Sequence, residues 1–293
     1  MTEIKSAAFI GLGVMGGPMA GHLVKRAGLT VTVYNRTPAK AEAWVSEYGG
    51  RAAPTPREAA RDADMVCLCV GNDDDLRGVM LGPDGVLAGA KEKAIIVDHT
   101  TASAAVAREM AKAALNKKAI FLDAPVSGGQ SGAINGQLTV MAGGDMEAFK
   151  LIEPVLRKAY AKEIRLIGPA GSGQMTKMVN QVCIAGIVQG LAEALAFGIK
   201  AGLDMEQVLA VIGKGGAQSW QMDNRGKTMV EGKFDFGFAV KWMIKDLNIV
   251  MDEAARNGAD VTNTRTILDY YRELESRGDC GLDTSALIRR LNG

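Results

Sequence analysis

Ala7-Ala-Phe-Ile-Gly-Leu-Gly-Val-Met-Gly16 is the most informative stretch of this chain. An apolar run leads directly into three glycines at Gly11, Gly13 and Gly16, in the order strand, tight turn, helix. Gly11 permits the turn, Gly13 lets the backbone approach a pyrophosphate, and Gly16 lets the helix lie close to the sheet. The N–H groups opening that helix form an anion site. The spacing predicts a Rossmann-type dinucleotide-binding domain. The whole loop, Gly11, Leu12, Gly13, Val14, Met15 and Gly16, is expected to touch the cofactor.

Outward from this loop the chain alternates. Short apolar runs at Ala7–Ile10, Val31–Tyr34, Met65–Val70, Ile95–Val97, Ile120–Asp123 and Leu138–Ala142 read as strands. Helical patterns such as Pro18–Arg26 and Ala39–Glu47 lie between several of them, the rhythm of a mainly parallel, helix-covered sheet. Ile164–Ile167 reads as a last strand before the glycine-rich stretch Gly168–Gly173. The pattern then becomes helical: one long helix from Gln174 to about Lys200, followed by Met205–Ile212, Val240–Asn257 and Thr262–Arg277. The long helix carries apolar residues on nearly every face of its middle and is expected to be surrounded by protein. The fold class is therefore α/β. A Rossmann-type NADP-binding domain at residues 1–168 precedes an all-helical domain at 169–293, with an active site expected between them.

Bulk properties limit the function. Lysine and arginine total 34 against 33 acidic residues, which argues against a protein dominated by nucleic-acid binding. Cys67, Cys69, Cys183 and Cys280 form no metal-type cluster with His22 and His99, the only histidines. Reduced thiols, a cytoplasmic location and no bound metal are expected. The start of the chain lacks a signal-peptide pattern, and no apolar stretch is expected to approach the length and hydropathy of a membrane span.

The second strand ends Val31-Thr-Val-Tyr-Asn-Arg-Thr-Pro38. Asn35 lies 19 residues after Gly16, near where an NAD-selective site places an acid for the ribose 2′-hydroxyl. Asn35 does not repel a phosphate, and Arg36 can pair with one and lie against adenine. Thr37 before Pro38 is a suitable N-cap, and its hydroxyl can add a phosphate contact. NADP, as NADPH, is the expected cofactor; the alternative leaves Arg36 as a solvated turn residue.

Two further segments carry chemistry. In Asp123-Ala-Pro-Val-Ser-Gly-Gly129, consecutive N–H groups of Gly128 and Gly129 with the Ser127 hydroxyl suit a carboxylate, although an ordinary turn also accounts for them. In Gly171-Ser-Gly-Gln-Met-Thr-Lys-Met-Val-Asn-Gln181, Lys177, Asn180 and Gln181 share one helix face. A lysine there can exchange a proton with a carbonyl oxygen, a role served by burial or a neighbouring cation; a surface ion pair is the plainer reading. Lys245, with Asp246 alongside, is a candidate for that neighbour.

Together these segments, in this order over essentially the whole chain, resemble the beta-hydroxyacid dehydrogenase family, which includes 3-hydroxyisobutyrate dehydrogenase and tartronate semialdehyde reductase. The resemblance rests on Phe9–Ala20, Asp123–Gly129, Gly171–Gln181 and Lys245-Asp246-Leu247. It implies that Lys177 is the catalytic acid–base and that Ser127, Gly128, Gly129 and Asn180 hold the substrate. Lys245 would contact cofactor and substrate from the helical domain. Asp98-His-Thr-Thr101 falls on the family's nicotinamide loop, so Thr101 is the expected contact there, and Val70 another. Homodimers or homotetramers built around the long helix are also implied.

The chain departs from the family in three places. Gln181 stands where many members have asparagine. The loop Val70–Asp75 lacks the usual Leu-Pro, and its acidic run is expected to cap a helix rather than bind metal. His99 precedes Thr100-Thr101 and either faces the nicotinamide or packs locally. The expected function is interconversion of a small carboxylate-bearing beta-hydroxy acid and its semialdehyde, with no nucleic-acid or membrane partner. An imine reductase and a non-enzymatic NADP-binding protein are the alternatives.

Overall fold

The computed structural model describes residues 3–291. In chain order the elements begin β1 (Ser6–Ile10), α1 (Gly16–Lys25), β2 (Thr30–Tyr34), α2 (Pro38–Tyr48), β3 (Arg51–Ala52), α3 (Pro56–Ala60), β4 (Met65–Leu68) and α4 (Asp73–Leu81). They continue with α5 (Val86–Gly89), β5 (Ile95–Asp98), α6 (Ala104–Asn116), β6 (Ile120–Asp123), β7 (Val126–Ser127), α7 (Gly129–Asn135), β8 (Leu138–Gly143), α8 (Met146–Ala159) and β9 (Ala161–Gly168). Helices α9 (Ser172–Lys200), α10 (Met205–Ile212), α11 (Trp220–Val230), α12 (Val240–Asn257) and α13 (Thr262–Ser276) follow, with a terminal 3-10 helix at Thr284–Arg290.

Strands β3-β2-β1-β4-β5-β6 lie side by side and parallel. The chain runs outward from β1 to β3 and then restarts at β4 on the other side of β1. Ligands bind such sheets at that switch point, beyond the carboxyl ends of the strands. Within β1, Ala7 and Phe9 join one apolar core while Ala8 and Ile10 join another on the opposite face. Burial of both faces explains why β1, β4 and β5 read as unbroken apolar runs rather than alternating ones.

Beyond β6 the sheet departs from the simple parallel expectation. β8 runs antiparallel to β6 and β7, and β9 adds parallel to β8. β9 spans eight residues, against the four expected, because its charged outward positions Lys162, Glu163 and Arg165 conceal the strand in sequence. β4 ends at Leu68, so Cys69 lies past the strand. The acidic run Asp73, Asp74 and Asp75 occupies the first turn of α4, where the helix dipole favours negative charge, and Asn72 supplies the cap.

Two compact units divide at Met1–Lys177 and Met178–Gly293, inside α9. The first turns of that helix are bonded into the sheet unit, as described below. The second unit has its own core. Val240, Met243, Ile244, Leu247 and Val250 from α12 meet Ile267, Leu268, Tyr271 and Leu274 from α13 and Leu191 and Leu195 from α9.

One expectation about α9 is corrected. It is long and apolar enough, by length and composition, to cross a membrane, but polar side chains at Lys177, Gln181 and Gln189 are buried in protein. Within one chain part of the helix is left uncovered: Val179, Ile187 and Phe197 are 65%, 41% and 74% exposed, with Cys183 on the same stripe.

Candidate active site

Register aligns the carboxyl ends of the central strands: Ile10 faces Leu68, Leu68 faces Asp98, and Asp98 faces Asp123. The fingerprint loop, Val70 and Thr101 therefore leave the sheet at one edge, where β6 also ends and the chain runs on toward the Ser127–Gly129 segment.

At that edge Gly11 has φ +97°, and a side chain there would collide with the Cys69 carbonyl. A side chain at Gly16 would strike the Gly11 carbonyl oxygen, whereas one at Gly13 would meet nothing within 4 Å. No side chain caps the N-terminus of α1, and its first turn carries no acid. Backbone donors are thus presented at an approachable glycine without a competing carboxylate, a set that fits a dinucleotide pyrophosphate. Leu12 is buried, Met15 half-buried, and Val14 is 54% exposed on the loop surface.

Asn35 fixes this loop. Its Oδ1 accepts from the Leu12 N–H at 3.0 Å, and its Nδ2 donates to the Thr37 carbonyl at 3.1 Å. The hydroxyl of Thr37 does not cap α2, which corrects the sequence expectation; the Lys40 N–H bonds to the Thr37 carbonyl oxygen instead. Arg36 is exposed and lies 3.5 Å from Asp75. So exposed a pair is weak, and Arg36 can exchange it for a phosphate.

Behind the loop, Thr100 Oγ1 accepts from the Val70 N–H at 3.0 Å. Buried Gln174 brackets Thr101: its Oε1 accepts from the Ala102 N–H at 3.1 Å, and its Nε2 donates to the Thr100 carbonyl at 2.7 Å. Asp123, at the end of β6, accepts from the Gly171 and Gln174 N–H groups at 2.7 and 2.8 Å. A carboxylate delivered from the sheet thus caps α9. Burial pushes the Asp123 carboxyl above its usual range, while the N–H groups of Gly171 and Gln174 pull it back. Lys177, three residues beyond Gln174, is buried at 7% exposure.

The Ser127–Gly129 segment follows Asp123. Ser127 pairs with Thr139 in the antiparallel ladder, Gly128 has φ +130°, and a side chain at Gly129 would meet nothing within 4 Å. His99 packs against the start of this segment rather than serving as an exposed acid. Its Nδ1 donates to the Ala124 carbonyl at 2.7 Å, leaving Nε2 to accept from the Tyr160 hydroxyl at 2.8 Å. Burial lowers its pKa to about 4, so the ring is neutral near pH 7.

In the second unit Asn180 Nδ2 donates to Gln181 Oε1, and Gln181 Nε2 donates to Asp246 Oδ2, each at 2.7 Å. Asp246 Oδ1 lies 3.2 Å from Lys245 Nζ. Gln181 thus links α9 to α12. Asn180 and Lys245, both expected substrate contacts, are thereby joined in one network.

The whole chain has counterparts of known kind. Residues 6–168 match the family described as the NAD binding domain of 6-phosphogluconate dehydrogenase. Residues 171–291 match the NAD-binding domain of NADP-dependent 3-hydroxyisobutyrate dehydrogenase. The chain belongs to the beta-hydroxyacid dehydrogenase family. An oxidoreductase of Shewanella frigidimarina (strain NCIMB 400) is 58% identical over 97% of both chains. The 2-hydroxy-3-oxopropionate reductase of Escherichia coli (strain K12) is 32% identical, over 97% of this chain and 96% of that one. Mycobacterium tuberculosis 3-hydroxyisobutyrate dehydrogenase, solved with L-serine, superposes with a TM-score of 0.88 at 31% identity, covering 99% of this chain and 100% of the other.

As a beta-hydroxyacid dehydrogenase family member, the protein is an oxidoreductase with nicotinamide-cofactor domains. Sequence spacing gave no role to Asp123, Gln174, Tyr160 or Asp246. The one available signal was an acid at the end of a strand, at Asp123, before a glycine-rich loop.

Proposed function

We propose that the protein is an NADP-dependent semialdehyde reductase, interconverting a short semialdehyde and its beta-hydroxy acid. The observation that carries this reading is a buried lysine, Lys177, on a helix whose first turn is bonded to the end of β6 and to Thr100 and Ala102 just past β5. Gly13 and the uncapped start of α1 would hold the pyrophosphate, and Arg36 the 2′-phosphate. When bound, the nicotinamide supplies or accepts hydride. Ser127 and the N–H groups of Gly128 and Gly129 bind the substrate carboxylate. The Lys177 ammonium passes a proton to the carbonyl oxygen as the aldehyde is reduced; in reverse, neutral lysine takes the alcohol proton. Asn180 and Lys245 complete the substrate contacts. The L-serine bound by the tuberculosis relative is itself a small beta-hydroxy acid, which supports this substrate class. The exposed stripe of Val179, Ile187 and Phe197 supports assembly as a homodimer or homotetramer.

Initial rates with succinic, glyoxylic, methylmalonic and tartronic semialdehydes, with NADPH and NADH, test the proposal. One semialdehyde is expected to give a strong NADPH-dependent rate. Turnover of cyclic imines alone, or NADPH binding without turnover of any of these compounds, would overturn it.

Cofactor choice has its own test. Arg36→Ala is expected to weaken NADPH roughly 10- to 30-fold through loss of a charge-assisted contact, with little change for NADH. Equal losses for both cofactors, measured by fluorescence titration, would remove the phosphate assignment.

A further inference from the structure

Three segments that serve the site meet through two buried side chains, and neither side chain has a part in the proton or hydride chemistry. Asp123 and Gln174 are both fully buried. Asp123 holds the Gly171 and Gln174 N–H groups at 2.7 and 2.8 Å, and it ends the strand that opens into the Ser127–Gly129 segment. Gln174 spends both ends of its amide on the backbone around Thr101, at 3.1 and 2.7 Å. Thr100, whose carbonyl receives Gln174, also receives the Val70 N–H on its hydroxyl. One connected set of hydrogen bonds therefore runs from the Val70 loop through Thr100 and Gln174 to the first turn of α9, and from there to Asp123.

We propose that Gln174, seated by Asp123, is a positioning residue that fixes Lys177 with respect to the Thr100–Ala102 and Ser127–Gly129 segments. The inference rests on the reading of Lys177 as the acid–base and adds a residue to it. Gln174 lies three positions before Lys177 and so one turn away on neighbouring helix surface. An amide is suited to the task because it must accept from an N–H and donate to a carbonyl at the same time. A carboxylate or a thioether of similar length does only one of these or neither. Its bonds are buried and so resist loosening by solvent competition. A displacement of the lysine by about 1 Å is enough to slow a positioned proton transfer by roughly 100-fold.

The test compares Gln174→Met and Gln174→Glu with the wild-type enzyme, using NADPH and the best semialdehyde from the panel above. Circular dichroism and thermal melting first establish folding at the assay temperature. Gln174→Met removes both bonds at similar volume. Its single-turnover rate of hydride transfer at saturating substrate is expected to fall roughly 10- to 100-fold. NADPH affinity and KM should change by less than about 3-fold, because Gln174 bonds neither the Gly11–Gly16 loop, which would hold most of the cofactor, nor the Ser127–Gly129 segment. Gln174→Glu keeps an acceptor for the Ala102 N–H and should lose less; it decides the matter if the methionine variant does not fold.

A folded variant that transfers hydride at the wild-type rate, or whose loss lies wholly in KM, would overturn the positioning role. Lys177→Ala in the same assay separates the two ideas. An active Lys177→Ala defeats the acid–base reading itself. An inactive Lys177→Ala beside a normal Gln174→Met defeats only the positioning role.

Discussion

Lys177→Ala is expected to lower kcat by roughly 100- to 10,000-fold while NADPH still binds, the range for loss of a positioned general acid–base. The proposed cofactor cradle lies elsewhere, at Gly11, Gly13, the start of α1 and Asn35, so NADPH affinity should hold within a few-fold. Lys177→Arg is an informative partner. It retains a cation at the same position, but a guanidinium stays protonated at every working pH and cannot take a proton back. Both variants should therefore be slow in alcohol oxidation, and the arginine variant should not restore the lysine rate in reduction. Stopped-flow rates at saturating substrate, with NADPH titrations alongside, provide the check. A near-normal kcat for the alanine variant would place the proton with another group and remove the central residue of the proposed mechanism.

The second large effect concerns stability. Folded His99 has a pKa near 4, lowered by burial, against an ordinary value of 6.5. Below pH 6.5 the unfolded chain takes up a proton at this residue that the folded chain refuses. The stability present above pH 6.5 is therefore lost progressively as pH falls to about 4, where the folded form also begins to accept the proton. A gap of this size corresponds to about 3 kcal/mol. His22, also shifted downward by burial, contributes in the same direction. Denaturant unfolding from pH 7 to pH 4 should show the decline, and His99→Gln should flatten it even though that variant starts from lower stability at pH 7. Parallel curves for the two proteins would show that His99 does not titrate on unfolding in this window.

Much of the nucleotide-binding half was legible beforehand because its signals are local. The glycine spacing at residues 11 to 16 encodes a turn geometry that needs no distant partner. The runs at Ile120–Asp123 and Met205–Ile212 and the pattern at Val240–Asn257 carry their own periodicities, and the elements occupy those residues. The expected role of Thr37 as a cap failed for a local reason of another kind. Asn35 and Lys40 both engage its carbonyl, and the hydroxyl is left out of the helix end.

Strand–helix alternation along the chain carried the fold class, and short local motifs marked the candidate dinucleotide loop and the candidate lysine. The antiparallel turn of the sheet at β8, the burial of His99 and the clamp on α9 arise instead from pairing between distant segments. The His99–Tyr160 bond spans 61 residues, the Asp123–Gln174 bond 51 and the Gln174–Thr100 bond 74. Such bonds are selected by which buried donor meets which buried acceptor once the sheet has assembled, because neither can be left unpaired without cost. Hydrophobic period and residue spacing carry no record of that choice.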